Sequence, residues 1–269
     1  MRYFALGGAV LEVGSGHRPY PHSDVLVDKH LEDAEREGPL HRDHRPLVIC
    51  DLANLPFRDR VFGYVIAAHV LEHVEEPESA AREIERVGRA GYIETPSALM
   101  EFVEPHREYH RWSVRLEDGR LVFVPKDPVS RQFRQHLTHR LITANLGWKL
   151  FAHTNPRLFK TILEWRDRIP LRLERRALHP DDYLPDIHQG PGGFLRALLR
   201  KAGGWFTRAV LDALRPRRRV RLASLLRCPR CHGAVSIAAD RVRCAACSGS
   251  YPREGQLYFL SDDRFEAGP

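Results

Sequence analysis

Long hydrophobic runs are missing from this 269-residue sequence: none approaches the roughly 18 apolar residues that a membrane-spanning helix needs. The first residues also lack the apolar core of a secretory signal peptide, so we expect a cytoplasmic protein with no transmembrane segment. Internal repeats and long low-complexity tracts are absent as well, which argues against solenoid and fibrous architectures. What is left is the composition of a globular protein with 43% hydrophobic and 29% charged residues.

Cysteine is scarce, with five residues in the whole chain. Cys50 stands alone, and the other four form two Cys-x-x-Cys pairs separated by twelve residues. This clustering favours metal binding over a disulfide framework, with a redox Cys-x-x-Cys as the alternative. Four thiolates can surround Zn²⁺ as a closed structural site, and the predicted ligands are Cys228, Cys231, Cys244 and Cys247.

Acidic residues are nearly absent from one segment. Residues 196–230 hold eleven Lys or Arg and a single acid, whereas the whole chain has a formal net charge of +7. Within it, Arg215–Arg221 carries five arginines in seven residues. The segment could bind nucleic-acid phosphates, lie on an anionic membrane surface, or simply join two domains with its charge in solvent.

Short apolar runs that alternate with helical patterns predict a doubly wound, mostly parallel α/β sheet. Apolar or small residues at helical spacing after Pro77 predict a helix over Pro77–Val87. Asp118-Gly119 predicts a hairpin turn. The predicted strands are Ala5–Val13, Val25–Val27, Leu47–Cys50, Val61–Ala68, Gly91–Glu94 and Leu121–Val124, and further helices are predicted over Phe133–Leu146 and Pro156–Ile169.

The glycine turn after the first strand lacks the third glycine of a dinucleotide-binding fingerprint. Gly14-Ser15-Gly16 is followed by Pro19 where that glycine would stand, and Pro19 is a poor start for a pyrophosphate-binding helix. Glu12 places a carboxylate near the turn, which repels an anion and favours a cationic sulfonium. The turn therefore favours S-adenosylmethionine over NAD, although Gly-Ser-Gly alone could be an ordinary strand–turn–strand connection.

Four ordered motifs extend this argument: Val10–Asp28, Cys50–Phe57, Ala68–Val74 and Ile93–Ser97. Together they resemble the class I S-adenosylmethionine-dependent methyltransferases, in particular the subgroup whose fourth strand ends in Leu-Glu-His-Val. The resemblance implies that the glycine turn lines the methionine moiety, that Asp28 binds the ribose and that Asp51 and Leu52 meet the adenine. The implied cofactor site is Glu12, Gly14, Ser15, Gly16, Asp28, Asp51, Leu52 and His69.

Catalytic candidates are harder to identify from the sequence. Methyl transfer requires that the protein align the cofactor with the acceptor, and sometimes that it supply a base, but no particular catalytic residue is obligatory. His69 is one candidate, and the others follow the fifth strand at His106, Tyr109 and His110. On a helix His106 and His110 would share a face and suit a metal pair, but the sequence shows no third ligand. The alternative is a solvated polar segment with Tyr109 packed inward.

Residues 218–260 resemble the small zinc-binding activator subunit that partners tRNA, ribosomal-RNA and release-factor methyltransferases, here fused to the catalytic chain. The sequence lacks the Asn-Pro-Pro-Tyr type of tetrapeptide after the fourth strand, which argues against an amino-group methyltransferase of the release-factor or DNA type. The acceptor stays open among a small molecule, RNA and protein, and a catalytically silent scaffold is the alternative function. We divide the chain into an S-adenosylmethionine-binding core (1–97), a substrate-side segment (98–195), a basic linker (196–222) and a zinc ribbon (223–269).

Overall fold

The computed structural model describes residues 7–33, 36, 38–103, 109–126, 147–148, 151, 154–179, 182 and 220–267. Short strands dominate these residues, and the helices are few and mostly brief. In chain order the elements are β1 (Ala9–Val13), β2 (Val25–Asp28), β3 (Leu47–Ile49), β4 (Phe62–Ala68), α1 (Pro77–Val87), β5 (Ala90–Pro96), α2 (Ala98–Val103), β6 (Trp112–Glu117), β7 (Arg120–Pro125), α3 (Pro156–Phe159), β8 (Lys160–Arg166), β9 (Leu171–Leu173), α4 (Leu222–Leu225), β10 (Val235–Ile237), β11 (Arg241–Cys244), β12 (Ser250–Glu254) and β13 (Leu257–Phe259).

One large sheet organises the fold, in the strand order β10-β11-β12-β13-β3-β2-β1-β4-β5-β8. Its central strands, from β13 to β5, are parallel, and β8 runs antiparallel beside β5. The chain order reverses between β1 and β4, which is where open α/β sheets form a ligand crevice at the carboxyl ends of their strands. The predicted α/β class with a mostly parallel sheet is confirmed.

The central strands are buried on both faces, as their continuous apolar runs predict. Helix α1 has the predicted bounds: Pro77 occupies its first turn, and its buried side chains include Ala80, Ile84 and Val87. The hairpin is also confirmed, because Asp118 and Gly119 adopt φ angles of 48° and 74° between β6 and β7. Strand β6 has no counterpart in the sequence prediction.

The helix predicted over Pro156–Ile169 is wrong. Helical structure ends at Phe159, and the following residues form β8 along the edge of β5. Thr161, Leu163 and Trp165 are buried alternately, so the segment follows the period of a strand rather than a helix. The helix predicted over Phe133–Leu146 lies outside the described residues.

The C-terminal strands extend the main sheet. Strand β13 pairs in parallel with β3, and β12, β11 and β10 follow outward as antiparallel neighbours. Leu226, Val242 and Tyr251 belong to the same buried hydrophobic cluster as Leu11 and Val48. A single core therefore joins the two ends of the chain. Among the described residues, no helix has the length and apolar character needed to cross a bilayer.

Candidate functional site

The predicted glycine turn lies at the carboxyl end of β1, next to the point where the strand order reverses. Gly14 and Gly16 both have positive φ angles, of 65° and 57°. A Cβ on Gly14 would lie 2.2 Å from a methyl carbon of Val70, so any other residue there would have to displace Val70 as well as adopt the positive φ. The buried Ser15 hydroxyl has no hydrogen-bond partner among the described residues, which leaves a polar group available to a ligand.

Glu12 is almost fully buried, with 4% of its surface exposed. Its carboxylate accepts hydrogen bonds from the Tyr20 backbone amide, at 2.9 Å, and from the Ser23 hydroxyl. Burial raises the pKa of Glu12 to about 7, although these two bonds and the charge of Arg45 oppose the rise. Glu12 thus holds the segment after the glycine turn against β1, a structural role that the sequence did not predict.

Asp28 ends β2 and lies beside the glycine turn, as the prediction requires. Its Oδ2 accepts a hydrogen bond from the Gly16 amide at 3.0 Å, and its Oδ1 accepts one from the Arg36 guanidinium at 3.1 Å. The carboxylate is therefore engaged with both a backbone amide and a cation. Arg36, eight residues after Asp28, is a neighbour of the site that the sequence did not predict.

Asp51 follows β3 and caps the short 3-10 helix that begins at Leu52. It accepts a hydrogen bond from the Ala53 amide at 2.8 Å, and Lys29 lies 2.8 Å from its second oxygen. A cavity of about 690 Å³ opens here at the ends of β2, β3 and β13. Lys29, Asp51 and Asn54 line one side of this cavity, and the run Phe259–Arg264 lines the other.

His69 directly follows β4 in a strained backbone conformation, with a φ of 57°. Its Nε2 lies 3.1 Å from Glu94 Oε1, and its Nδ1 lies 3.5 Å from Glu72 Oε1. Burial lowers the pKa of His69, but the two carboxylates outweigh burial and raise it to about 9. At neutral pH the imidazole is therefore protonated. In this form it can donate a proton or a hydrogen bond, but it cannot accept a proton.

Glu94 is the partner of His69 that the sequence analysis did not single out as a site residue. Lys160 Nζ lies 2.5 Å from Glu94 Oε1, and the Tyr92 hydroxyl donates a hydrogen bond to the other oxygen. Burial raises the pKa of Glu94, but His69, Lys160 and Tyr92 reverse this and lower it to about 2. The position of Glu94 inside the Ile-Glu-Thr-Pro motif was the available signal.

Tyr109 and His110 lie just before β6 and are not part of a helix. His106 lies outside the described residues. His110 is buried, and its Nδ1 lies 2.5 Å from Glu101 Oε1. Glu72, His73 and His110 each place one possible ligand atom within 4.8 Å of the others, a grouping that the sequence did not predict.

The four predicted metal-binding cysteines lie together, and their Sγ atoms are all within 4.8 Å of one another. Sγ of Cys228 lies 3.8 Å from that of Cys247, and Cys231 and Cys244 approach to 3.3 Å without forming a disulfide. Tetrahedral zinc with bonds of about 2.3 Å separates its sulfur ligands by about 3.8 Å. The four thiols thus fit such an ion. Of the arginine-rich run only residues 220 and 221 are described.

Residues 25–93 match a family of methyltransferase domains. The match covers about a quarter of the chain and includes the residues Asp28, Asp51, His69 and Glu72. No curated protein matches the sequence. The family match supports a methyltransferase and S-adenosylmethionine as its cofactor.

Solved structures with similar parts include an S-adenosylmethionine-dependent methyltransferase from Mesorhizobium loti, at 17% identity and a TM-score of 0.29, over 55% of this chain and 73% of that one. A complex of the Haloferax volcanii Trm112 methyltransferase activator with a methyltransferase matches at 14% identity and a TM-score of 0.30, over 54% and 82%. The cyclase SpnF matches at 18% identity and a TM-score of 0.28, over 35% and 41%. The chain thus spans less than half of the length of SpnF.

Proposed function

We propose that this chain transfers the methyl group of S-adenosylmethionine to an acceptor and uses the carboxyl edge of β1–β5 as its cofactor site. The observation that carries the proposal is the contact between the Gly16 amide and Asp28, inside the crevice where the strand order reverses. A positive-φ glycine turn beside a strand-ending carboxylate is suited to a nucleoside cofactor, because the backbone approaches closely and the carboxylate accepts ribose hydroxyls.

The described residues supply a contact for each part of such a cofactor. S-adenosylmethionine, when bound, supplies the electrophilic methyl group. Gly14 and Gly16 let the backbone approach the methionine portion, and the unpartnered Ser15 hydroxyl offers it a hydrogen bond. Asp28 accepts hydrogen bonds from the ribose hydroxyls of the cofactor. Asp51 lines the cavity that we assign to its adenine ring. Leu52 supplies buried apolar surface, and Glu12 keeps the turn in place.

The acceptor side is assigned to the ends of β4 and β5. His69 Nε2 lies 3.1 Å from Glu94 and the pKa of the imidazole is raised, so we give His69 the task of positioning an acceptor rather than removing its proton. Tyr109 lies near the same edge through its stacking on His73. His106 and His110 are the other candidates from the sequence, and the acceptor stays open among a small molecule, RNA and protein.

We assign Cys228, Cys231, Cys244 and Cys247 to a structural Zn²⁺ site in the zinc ribbon (223–269). The ribbon lies at the edge of the core (1–97), and the substrate-side segment (98–195) and the basic linker (196–222) connect them. Four thiolates fill the coordination shell of zinc and leave no open position, so the ion stabilises rather than catalyses. Arg215–Arg221 is our candidate contact for nucleic acid or another anionic surface, with a solvent-exposed linker as the alternative.

Calorimetry of the full chain with S-adenosylmethionine tests the cofactor, and transfer of a labelled methyl group into fractionated cell extract tests the reaction and identifies the acceptor. We expect saturable binding and a labelled product. If the wild-type chain does not bind S-adenosylmethionine, the proposal is wrong. Binding of S-adenosylmethionine with no methyl transfer in any fraction would favour the alternative, a catalytically silent scaffold.

A further inference from the structure

A fully buried carboxylate without a close partner lies just after β4. Glu72 has 0% of its surface exposed, and neither of its oxygens has a hydrogen-bond partner among the described residues. The nearest recorded approaches to Oε1 are His69 Nδ1 at 3.5 Å and His73 Nε2 at 3.9 Å. Because an ionised carboxylate is costly to bury without partners, this side chain requires an explanation.

Two imidazoles border the same point. The rings of His73 and His110 are perpendicular, with centroids 4.6 Å apart, and both residues place a nitrogen within 4.8 Å of a Glu72 oxygen. Backbone bonds hold the two segments together, because the amides of Arg111 and Trp112 donate to the Glu72 carbonyl at 2.8 and 3.2 Å. The grouping is thus built into the chain path and does not depend on side-chain rotamers alone.

The orientation of His110 is held from behind. Its Nδ1 donates to Glu101 at 2.5 Å, and Lys126 pairs with the second oxygen of Glu101. This arrangement leaves Nε2 of His110 as the nitrogen available to the cluster. A carboxylate that holds the other nitrogen of an imidazole is the usual support of a metal-ligating histidine.

We propose that Glu72, His73 and His110 bind a divalent first-row transition ion such as Zn²⁺ or Fe²⁺. Two imidazoles and one carboxylate form the ligand set that these ions take at sites with open coordination positions, whereas Mg²⁺ and Ca²⁺ prefer oxygen ligands alone. Ligand atoms about 2.1 Å from an ion lie about 3.0–3.5 Å apart, so the 3.9 Å between Glu72 and His73 closes with a small side-chain rotation. The His73 side chain is 31% exposed and gives the ion access from solvent.

A simple ion pair between Glu72 and His69 is the competing explanation. It accounts for one long contact of Oε1 at 3.5 Å, while His69 lies closer to Glu94 at 3.1 Å. It leaves the second oxygen of Glu72 without a partner, and it gives no reason for the Glu101 support behind His110. A bound ion would give the buried Glu72 carboxylate a partner, and it would give the Glu101 support behind His110 a function.

The test counts metal equivalents in the full chain after chelation and titration with Zn²⁺ and, separately, with Co²⁺. We expect two equivalents for the wild type, one at the cysteine cluster and one at Glu72. Glu72→Gln and His110→Ala are expected to lose one equivalent and to keep the thiolate-to-cobalt charge-transfer band. Cys244→Ser is expected to lose that band and the other equivalent. His44→Ala, which changes an exposed histidine outside the cluster, should keep both.

A wild-type chain that binds one equivalent, abolished by Cys244→Ser, would overturn the proposal. So would a folded Glu72→Gln variant that still binds two equivalents with unchanged affinity. The number of metal equivalents bound by the wild type does not depend on whether any variant folds. Far-ultraviolet circular dichroism shows whether the variants are folded. The metal count is also independent of methyl transfer, so failure of S-adenosylmethionine binding and failure of this site give different results.

Discussion

The backbone of Tyr258 pairs in parallel with that of Val48, although most of the chain separates the two residues. The Leu47 amide donates to the Gln256 carbonyl at 2.8 Å, and the Leu260 amide donates to the Ile49 carbonyl at 2.9 Å. Without β13 the strand β3 would be an open edge with unpaired amides. The C-terminal strands are therefore part of the same folding unit as the cofactor edge.

Loss of the Zn²⁺ ion that we propose at the four cysteines should consequently destabilise the whole chain. Cys244 is buried in the hydrophobic cluster that includes Val48. We expect Cys244→Ser to lower the free energy of unfolding by about 3 kcal/mol or more, because it removes both a ligand and its ion. Urea unfolding followed by tryptophan fluorescence measures this, since the four tryptophans of the chain all lie before residue 223.

Cys50→Ala is the matched control, because Cys50 is buried in the same hydrophobic cluster but is not one of the four converging cysteines. We expect it to cost about 1 kcal/mol and to leave the response to chelators unchanged. If Cys244→Ser leaves the fluorescence midpoint at the wild-type value, the ribbon and the core unfold independently and the argument from the shared core fails.

Asp28→Ala tests the assigned ribose contact. Hydrogen bonds to a charged group contribute about 1.5–3 kcal/mol, so we expect S-adenosylmethionine to bind roughly 10- to 100-fold more weakly. Calorimetry measures the affinity directly. Asp43→Ala is the control, because Asp43 also pairs with an arginine, Arg45, but lies outside the strand ends. Undiminished binding by Asp28→Ala would remove Asp28 from the cofactor site.

Gly14→Ala tests the requirement for glycine in the turn, with Gly119→Ala as its control. Both glycines have positive φ angles, of 65° and 74°, so both variants carry a backbone penalty of about 1 kcal/mol. Only at Gly14 does the new Cβ meet a neighbour, the Val70 side chain at 2.2 Å, which adds about 1–3 kcal/mol. Thermal unfolding should therefore show the larger loss for Gly14→Ala, and equal losses would contradict the contact.

Local patterns in the sequence predict the strands of the central sheet well. They fail where a strand pairs with another that is far away in the sequence. Helix α1 has the predicted bounds because Pro77 marks its start and its apolar residues follow one helical period. The segment of β8 contains apolar residues that fit a strand or a helix, and only its pairing with β5 decides between them. The pairing of β13 with β3 has no local signal either.

The candidate site divides in the same way. The proximity of Asp28 to Gly16 follows from the rule that parallel strands end at one edge of a sheet. The grouping of Glu72 with His110 depends on the hydrogen bond from the Arg111 amide to the Glu72 carbonyl, a distant pairing that has no local signal in the sequence. The hydrogen bond from Arg36 to Asp28 likewise has no local signal in the sequence.

Glu12 makes the stability depend on pH in a direction that its burial determines. Its pKa rises from the ordinary 4.5 to about 7 in the folded chain. Between these two pH values the folded state holds a proton that the unfolded state releases. The free energy of unfolding therefore falls as the pH rises from 4.5 to about 7, and this group causes no further change above pH 7. At about 1.4 kcal/mol per pH unit, the loss is about 3 kcal/mol at most.

Glu12→Gln isolates this effect, because an amide does not ionise in this range. Facing the Tyr20 amide and the Ser23 hydroxyl, the glutamine introduces a cost of its own, but that cost is the same at every pH. We therefore expect the difference in unfolding free energy, wild type minus variant, to decrease between pH 4.5 and pH 7 in urea titrations. Glu78→Gln, at an exposed position of α1, should show no such trend. A wild-type-minus-Glu12→Gln difference that stays constant across this range would mean that the carboxyl ionises as readily in the folded chain as in the unfolded one.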